Sequence, residues 1–278
     1  MHYGVHLEDY STLWEQAIHQ EDGSCSPRTE SDEVEQNFWA SFMGQKSGYT
    51  PDEYSKPIAS FVTGLLRESG IKSVLEIGPG WGNYTLPIAG ACPNLTCLDL
   101  SPDVLDYIRR IASENGYHAV KTICSKWETC ILQEPFDAVF GYNCFYRMRD
   151  LKASLKKINN SAQKLCVVGM TSGPEQPFLV DFQKEQGLDI RFDRLDYIYF
   201  TNTLYNMGID VNCQIIPLEK EYSYNSAEEM LKSETGRIQN PEFNQVAILE
   251  ILSRYFKFSN GKYRFRHAFN GAVLYWYK

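Results

Sequence analysis

No run of eighteen apolar residues occurs anywhere in the 278 residues, so the sequence offers no helix able to cross a bilayer. A basic head followed by an apolar block is also missing. The opening stretch MHYGVHLEDYSTLWEQ carries acids early, and the expectation is a chain without a secretory signal, working in the cytoplasm. Dense clusters of Lys and Arg are absent too, and the net charge is −8. A nucleic-acid binder needs a basic footprint, so a nucleic-acid substrate is disfavoured. None of the eight cysteines falls in a CxxC pair. Several sit in apolar strand-like runs such as LCVVG and VNCQII, which reads as buried free thiols in a reducing compartment rather than a zinc site. His2 and His6 are spaced as ligands on one helix face can be, but nothing nearby completes a set, and no metal is expected. There is no internal repeat and no low-complexity tract.

What is present is a globular composition, 43% hydrophobic and 22% charged, long enough for one α/β domain with additions. Residues 1–55 read as an N-terminal helical cap. LEDYSTLWEQAIHQ places Leu7, Tyr10, Leu13, Trp14 and Ala17 at helical spacing, EDGSCSPRTESD reads as a loop, and DEVEQNFWASFM reads as a second helix with an acidic first turn. The aromatics of this segment have two readings, packing of the cap or lining of a ligand pocket. From Ser55 onward helices and β-branched apolar strands alternate: SKPIASFVTGLLRESG, KSVLEIG, NLTCLDL, SPDVLDYIRRIASENG, AVKTICS, FDAVFGY, DLKASLKKINNSA and KLCVVGM. That alternation predicts a mostly parallel central sheet with helices on both faces and ligands at the carboxyl ends of the strands. Past Gly173 the regularity loosens, and an insertion is expected at about residues 173–207 within a domain covering residues 56–278.

The stretch VLEIGPGWGNYT decides which ligand. Its glycines, Gly78, Gly80 and Gly82, follow a GxGxG pattern. The dinucleotide fingerprint wants glycine where Asn83 stands, and a phosphate-cradling loop wants a lysine that is not there. Glu76, just before the turn, would repel a pyrophosphate and attract a cation. LEIGPGWG followed by LDLSPDVLDYI resembles the class I S-adenosylmethionine-dependent methyltransferases, most clearly over residues 55–172. The resemblance implies the Rossmann-like α/β fold of that family, S-adenosyl-L-methionine as cofactor and S-adenosyl-L-homocysteine as product. It implies that Glu76 orients the methionyl end and that the backbone at Gly78, Pro79, Gly80 and Gly82 approaches it. Asp99 would accept from the ribose hydroxyls and Leu100 pack on the adenine. Ser125 or Lys126 would bond the adenine edge, with Trp127 as a flat wall and Tyr142 nearby.

Methyl transfer depends chiefly on positioning, and a base is needed only when the acceptor must lose a proton. After the fourth strand the chain reads FDAVFGYNCFYRMRD, without the Asn/Asp-Pro-Pro-Tyr signature of many enzymes that methylate planar nitrogens. Where small-molecule relatives carry a histidine pair, this chain has Tyr146 and Arg147. Tyr146 is then a candidate donor or, with a lowered pKa, a base, and Arg147 a candidate holder of a substrate carboxylate. The alternative is that Tyr146 packs and Arg147 pairs with Asp150. Tyr10, Trp14, Tyr146 and Tyr199 are the expected aromatic lining of the acceptor pocket. The leading expectation is a methyltransferase for a small-molecule acceptor, with no membrane partner, as a monomer or homodimer. A non-catalytic scaffold or partner subunit that binds the cofactor, and a protein or RNA methyltransferase, are the alternatives.

Overall fold

The computed structural model describes residues 9–19, 25–192 and 195–278. His2, His6 and Leu7 lie outside the described residues. Two compact units are present, one made of Met1–Thr171, Leu195–Ile216 and Gly271–Lys278, the other of Ser172–Arg194 and Pro217–Asn270.

The first unit opens with α1 (Tyr10–Ile18), α2 (Pro27–Glu30) and α3 (Asp32–Gly44). Ser31 caps α3 by accepting from the Val34 N–H, and Asp32, Glu33 and Glu35 fill its first turn, where the helix dipole favours acids. α4 (Ser55–Glu68) follows; its apolar residues Ile58, Val62, Leu65 and Leu66 recur at helical spacing and are buried on one face. Gly70, at φ +59°, reverses the chain into β1 (Ser73–Ile77). Next come α5 (Thr85–Ala91), β2 (Asn94–Asp99), α6 (Pro102–Glu114), β3 (Lys121–Cys124), β4 (Phe136–Tyr142), α7 (Leu151–Ser161) and β5 (Ala162–Ser172). Ser101 caps α6 with Pro102 in its first turn, as the sequence predicts.

Strands β1 to β5 are paired in parallel: β1 lies between β2 and β4, β3 pairs β2, and β5 pairs β4. The order β3-β2-β1-β4-β5 reverses direction at β1, so β1 and its neighbours end around a crevice, the usual ligand position in such sheets. The core beneath it includes Leu75, Ile77, Leu98, Val139, Phe145, Leu155 and Cys166.

Helix α8 (Pro177–Gln186) belongs to the second unit and closes at Gly187 in the left-handed region. Helix α9 (Tyr197–Asn206) belongs to the first, where it packs on α1 and α7 with Phe200 and Leu204 buried. The boundaries therefore differ from the expected insertion at 173–207. Two long strands each span the division: β6 (Asn212–Tyr224) starts in the first unit and ends in the second, and β8 (Lys262–Tyr277) starts in the second and ends in the first. Between them lie α10 (Ala227–Glu234), α11 (Gln245–Tyr255) and the short β7 (Lys257–Ser259). The second unit has its own core, in which the Phe178 ring meets Phe182, Tyr255, Phe256 and Phe265. Among the described residues no helix is long and apolar enough to cross a membrane.

Candidate functional site

A cavity of about 540 Å³ opens at the carboxyl ends of β1, β2, β3 and β4 in the first unit, within the size range of small-molecule sites. Its wall after β1 is Gly78, Pro79, Gly80 and Trp81; after β2, Asp99 and Leu100; after β3, Ser125, Lys126, Trp127 and Glu128. The loop after β4 contributes Asn143, Cys144, Tyr146 and Arg147, and Tyr142 closes that strand. Helices α2 and α3 supply the remaining side with Arg28, Glu35, Phe38, Trp39 and Phe42.

The glycine turn is held by conformation more than by an empty space for a ligand. Gly78, Gly80 and Gly82 sit at φ +63°, +53° and +82°. A Cβ on Gly78 would lie 2.5 Å from the Cys144 Cβ, and one on Gly82 would lie 2.7 Å from the Ile111 Cδ1. On Gly80 it would meet the Trp39 ring at 3.5 Å. Glycine is thus required here by left-handed backbone and close packing.

Eleven of the residues expected at a cofactor or catalytic position line this one cavity: Gly78, Pro79, Gly80, Asp99, Leu100, Ser125, Lys126, Trp127, Tyr142, Tyr146 and Arg147. Glu76 lies just beneath, almost fully buried on β1, where it accepts from the Cys97 thiol at 3.5 Å. Gly82 faces α6 through Ile111 instead of the cavity.

Of the expected acceptor lining, Tyr146 alone reaches this cavity. Tyr10, Trp14 and Tyr199 are absent from the cavity wall. Trp14 is fully buried, donates its indole N–H to the Met148 carbonyl at 2.8 Å, and packs on Tyr199 and Phe200. Tyr10 meets Tyr199 edge-on. Helical spacing showed that these rings face something apolar; that it is the α1–α9 contact was a matter of tertiary packing. The aromatic wall comes instead from α3, where Trp39 and Phe42 close on Trp81 with ring centres 6.1 and 5.3 Å apart.

Tyr146 and Arg147 are both anchored by the N-terminal helices. The Tyr146 hydroxyl donates to Glu35 Oε1 at 2.6 Å, and Arg28 binds the same carboxylate through Nε at 2.7 Å. Trp39 Nε1 donates to it at 2.8 Å. Arg147 pairs with Asp32 at 2.6 Å, and Lys126 pairs with that carboxylate at 3.2 Å. Arg147 therefore does not pair with Asp150, which caps α7 through the Ala153 N–H. Burial, reinforced by the Glu35 charge, pushes the Tyr146 phenol well above its ordinary value. The condition for Tyr146 to act as a base, a lowered pKa, is therefore not met in this arrangement, in which its hydroxyl is a hydrogen-bond donor. Burial also works against the Glu35 charge, but bonds from Arg28, Tyr146 and Trp39 outweigh it and hold the carboxyl below its usual range. Arg28, Asp32 and Glu35 were missed because a short loop-borne helix and an ordinary acidic first turn carry no chemical signature in one dimension.

Glu76 and Asp99 behave oppositely. Burial pushes Glu76 up to about 7 and Asp99 up to about 7; on Asp99 this is opposed by the Ser101 N–H, donated to Oδ1 at 2.8 Å. Four buried polar atoms on the wall have no hydrogen-bond partner: Trp81 Nε1, Trp127 Nε1, Tyr142 Oη and Arg147 Nε. Three of these can only donate. Unsatisfied buried groups are costly, so their convergence marks a place where a ligand supplies the partners. Such a ligand carries acceptors for the donors, with hydroxyls or a positive charge for Asp99 and Glu76.

Comparison with known proteins agrees with the geometry. Residues 74–164 match the profile of the methyltransferase domain family. An uncharacterised protein of Haemophilus influenzae is 29% identical over 165 residues, 58% of this chain and 60% of that protein, so the chain spans under two thirds of that relative. A mitochondrial small-subunit ribosomal RNA methyltransferase of Arabidopsis thaliana is 34% identical over 65 residues, 22% of this chain and 17% of that one. Among solved structures, a protein of Bacillus halodurans provisionally assigned as a methyltransferase superposes with a TM-score of 0.52 at 17% identity, covering 79% of this chain and 99% of that one. Residues 74–164 match a methyltransferase domain, and the chain has the mostly parallel, Rossmann-like α/β fold of the superposed Bacillus halodurans protein.

Proposed function

We propose that this chain transfers the methyl group of S-adenosylmethionine to a small-molecule acceptor held in the cavity at the strand ends. The observation that carries the reading is the set of four buried, unpaired polar atoms on one cavity wall that also holds the Asp99 carboxylate and several aromatic rings, with the Glu76 carboxylate buried on the adjoining strand β1. The residues fit the cofactor. Asp99 would accept from the ribose hydroxyls, and Glu76 would set the charge at the methionyl end. Leu100 and Trp127 would flank the adenine, with Ser125 at its edge, since Lys126 is engaged by Asp32. When bound, the cofactor supplies an electrophilic methyl group; the chain's part is to exclude water and hold the acceptor in line. The ion pairs from α2 and α3 and the wall of Trp39, Phe42 and Trp81 do the excluding. The same reading places the chain in the cytoplasm, where eight free thiols persist.

An RNA acceptor is the second reading, favoured by the Arabidopsis relative. Incubation with radiolabelled S-adenosylmethionine and cell extract, then separation by size, tests both. Label in the low-mass fraction supports the proposal, label confined to RNA overturns it in favour of the second reading, and label confined to protein overturns both. Binding of S-adenosylhomocysteine with no transfer to any fraction would identify a scaffold.

A further inference from the structure

The wall segment after β3 is a single helical turn: the N–H groups of Thr129 and Cys130 both bond the Lys126 carbonyl, at 3.2 and 2.9 Å. Such a turn leaves carbonyls pointing out of its carboxyl end, where a cation is the natural cap. Lys157 supplies it. The residue sits on α7, whose Leu151, Leu155 and Ile158 are buried in the core that also holds Trp127 and Cys130. From the edge of that face the Lys157 ammonium donates to the carbonyls of Trp127, of Cys130 at 2.5 Å and of Glu128 at 3.4 Å. It also stands 4.5 Å from the centre of the Trp127 ring, within cation–π range. The other end of the segment is fixed independently. The Ser125 N–H bonds the Asp99 carbonyl at 2.9 Å, and Lys126 is paired with Asp32. Trp127 is held between these anchors on the cavity wall, buried to 3% exposure, with its indole N–H unpaired.

We propose that Lys157 is a positioning residue for the adenosyl end of the cavity, fixing the Trp127 ring and its unpaired N–H for the ligand without touching the ligand itself. The inference rests on the cofactor reading above. Lys157 is the one side chain that binds three carbonyls of this turn among the described residues, and it lies outside the cavity wall. A side chain that merely stabilised the fold would alter ligand affinity only through the folded fraction. One that acts through Trp127 loses its effect when the indole is gone.

Calorimetric titration with S-adenosylhomocysteine tests this on four proteins: wild type, Lys157→Met, Trp127→Phe and the double variant. The expected result is about tenfold weaker binding for Lys157→Met when Trp127 is intact and less than about twofold further loss when it is added to Trp127→Phe. Lys157→Arg, which restores a long cation, should bind within about threefold of wild type. Equal losses from Lys157→Met with and without the indole, or no loss in either case, overturns the inference. Should Lys157→Met fail to fold, Lys157→Gln takes its place in the same cycle, with the same two outcomes. Failure of the wild type to bind S-adenosylhomocysteine overturns the cofactor reading itself, and this inference with it.

Discussion

Gly78 and Asp99 illustrate two ways in which one residue can be indispensable. Gly78 is fixed by its left-handed backbone and by the Cys144 Cβ, 2.5 Å from where its own would be. Gly78→Ala should therefore lose roughly 1–2 kcal/mol for the backbone alone, with more for the overlap. Adding Cys144→Gly should recover the overlap part and leave the backbone part. Urea unfolding of both variants measures this; no recovery would show that Cys144 is not the obstacle. Asp99, in the cofactor reading proposed above, is needed for the ligand hydroxyls it would accept from. Asp99→Ala should weaken S-adenosylhomocysteine binding by about 1–3 kcal/mol, the scale of bonds to a charged group. Unchanged affinity in calorimetry would place the ribose elsewhere.

Helices α2 and α3 show how an element without a motif can complete a site. Arg28, Asp32 and Glu35 reach the loop after β4 and tie down Tyr146 and Arg147. Glu35 is almost fully buried and satisfies three donors at once. Glu35→Ala strands those donors and should destabilise the protein by roughly 2–3 kcal/mol, while Glu35→Gln, which keeps an acceptor, should cost less. The element-level consequence is easier loss of the α2–α3 contact. Hydrogen exchange at residues 32–44 should quicken in the Ala variant before it quickens in β1, and simultaneous quickening would show that the helix does not open on its own.

For the whole molecule, the acids divide into two groups with opposite effects on stability. Glu35 and Asp32 lie below their ordinary values, because their cationic and hydroxyl partners outweigh burial. They stabilise the fold above those ordinary values, and that contribution is lost as pH falls through the folded ones. Glu76 and Asp99 are pushed up to about 7 by burial. Their contribution is complete below the ordinary carboxyl range and is lost as pH rises through about 7; for Glu76 it is at most roughly 3 kcal/mol. The ligand-free protein should therefore melt highest near pH 5 and less stably at pH 8. Glu76→Gln should flatten the fall. A ligand carrying an ammonium and ribose hydroxyls favours the ionised carboxylates, so saturating S-adenosylhomocysteine should move the optimum toward neutrality. Melting curves from pH 4 to 8 measure all three; a flat profile in the wild type would show that neither acid is shifted.

Patterns local in the chain were legible in the sequence. The alternation of strands and helices, the caps Ser101 and Gly70, the glycine turn and the acids Glu76 and Asp99 each depend on a few neighbouring residues, and strand order then brings their ends together. The glycine spacing and Glu76 already spoke against a pyrophosphate ligand. Which aromatic residues wall the cavity, what holds Tyr146 and Arg147, and where the second unit begins were decided by tertiary structure alone. Trp14 and Trp39 read alike as apolar positions on amphipathic helices, yet one is buried against α9 and the other faces the glycine turn. Glu35 and Tyr146 are 111 residues apart, and their bond exists only because the fold sets α3 against the loop after β4. Periodicity reports that a face is covered; only the packed chain determines what covers it.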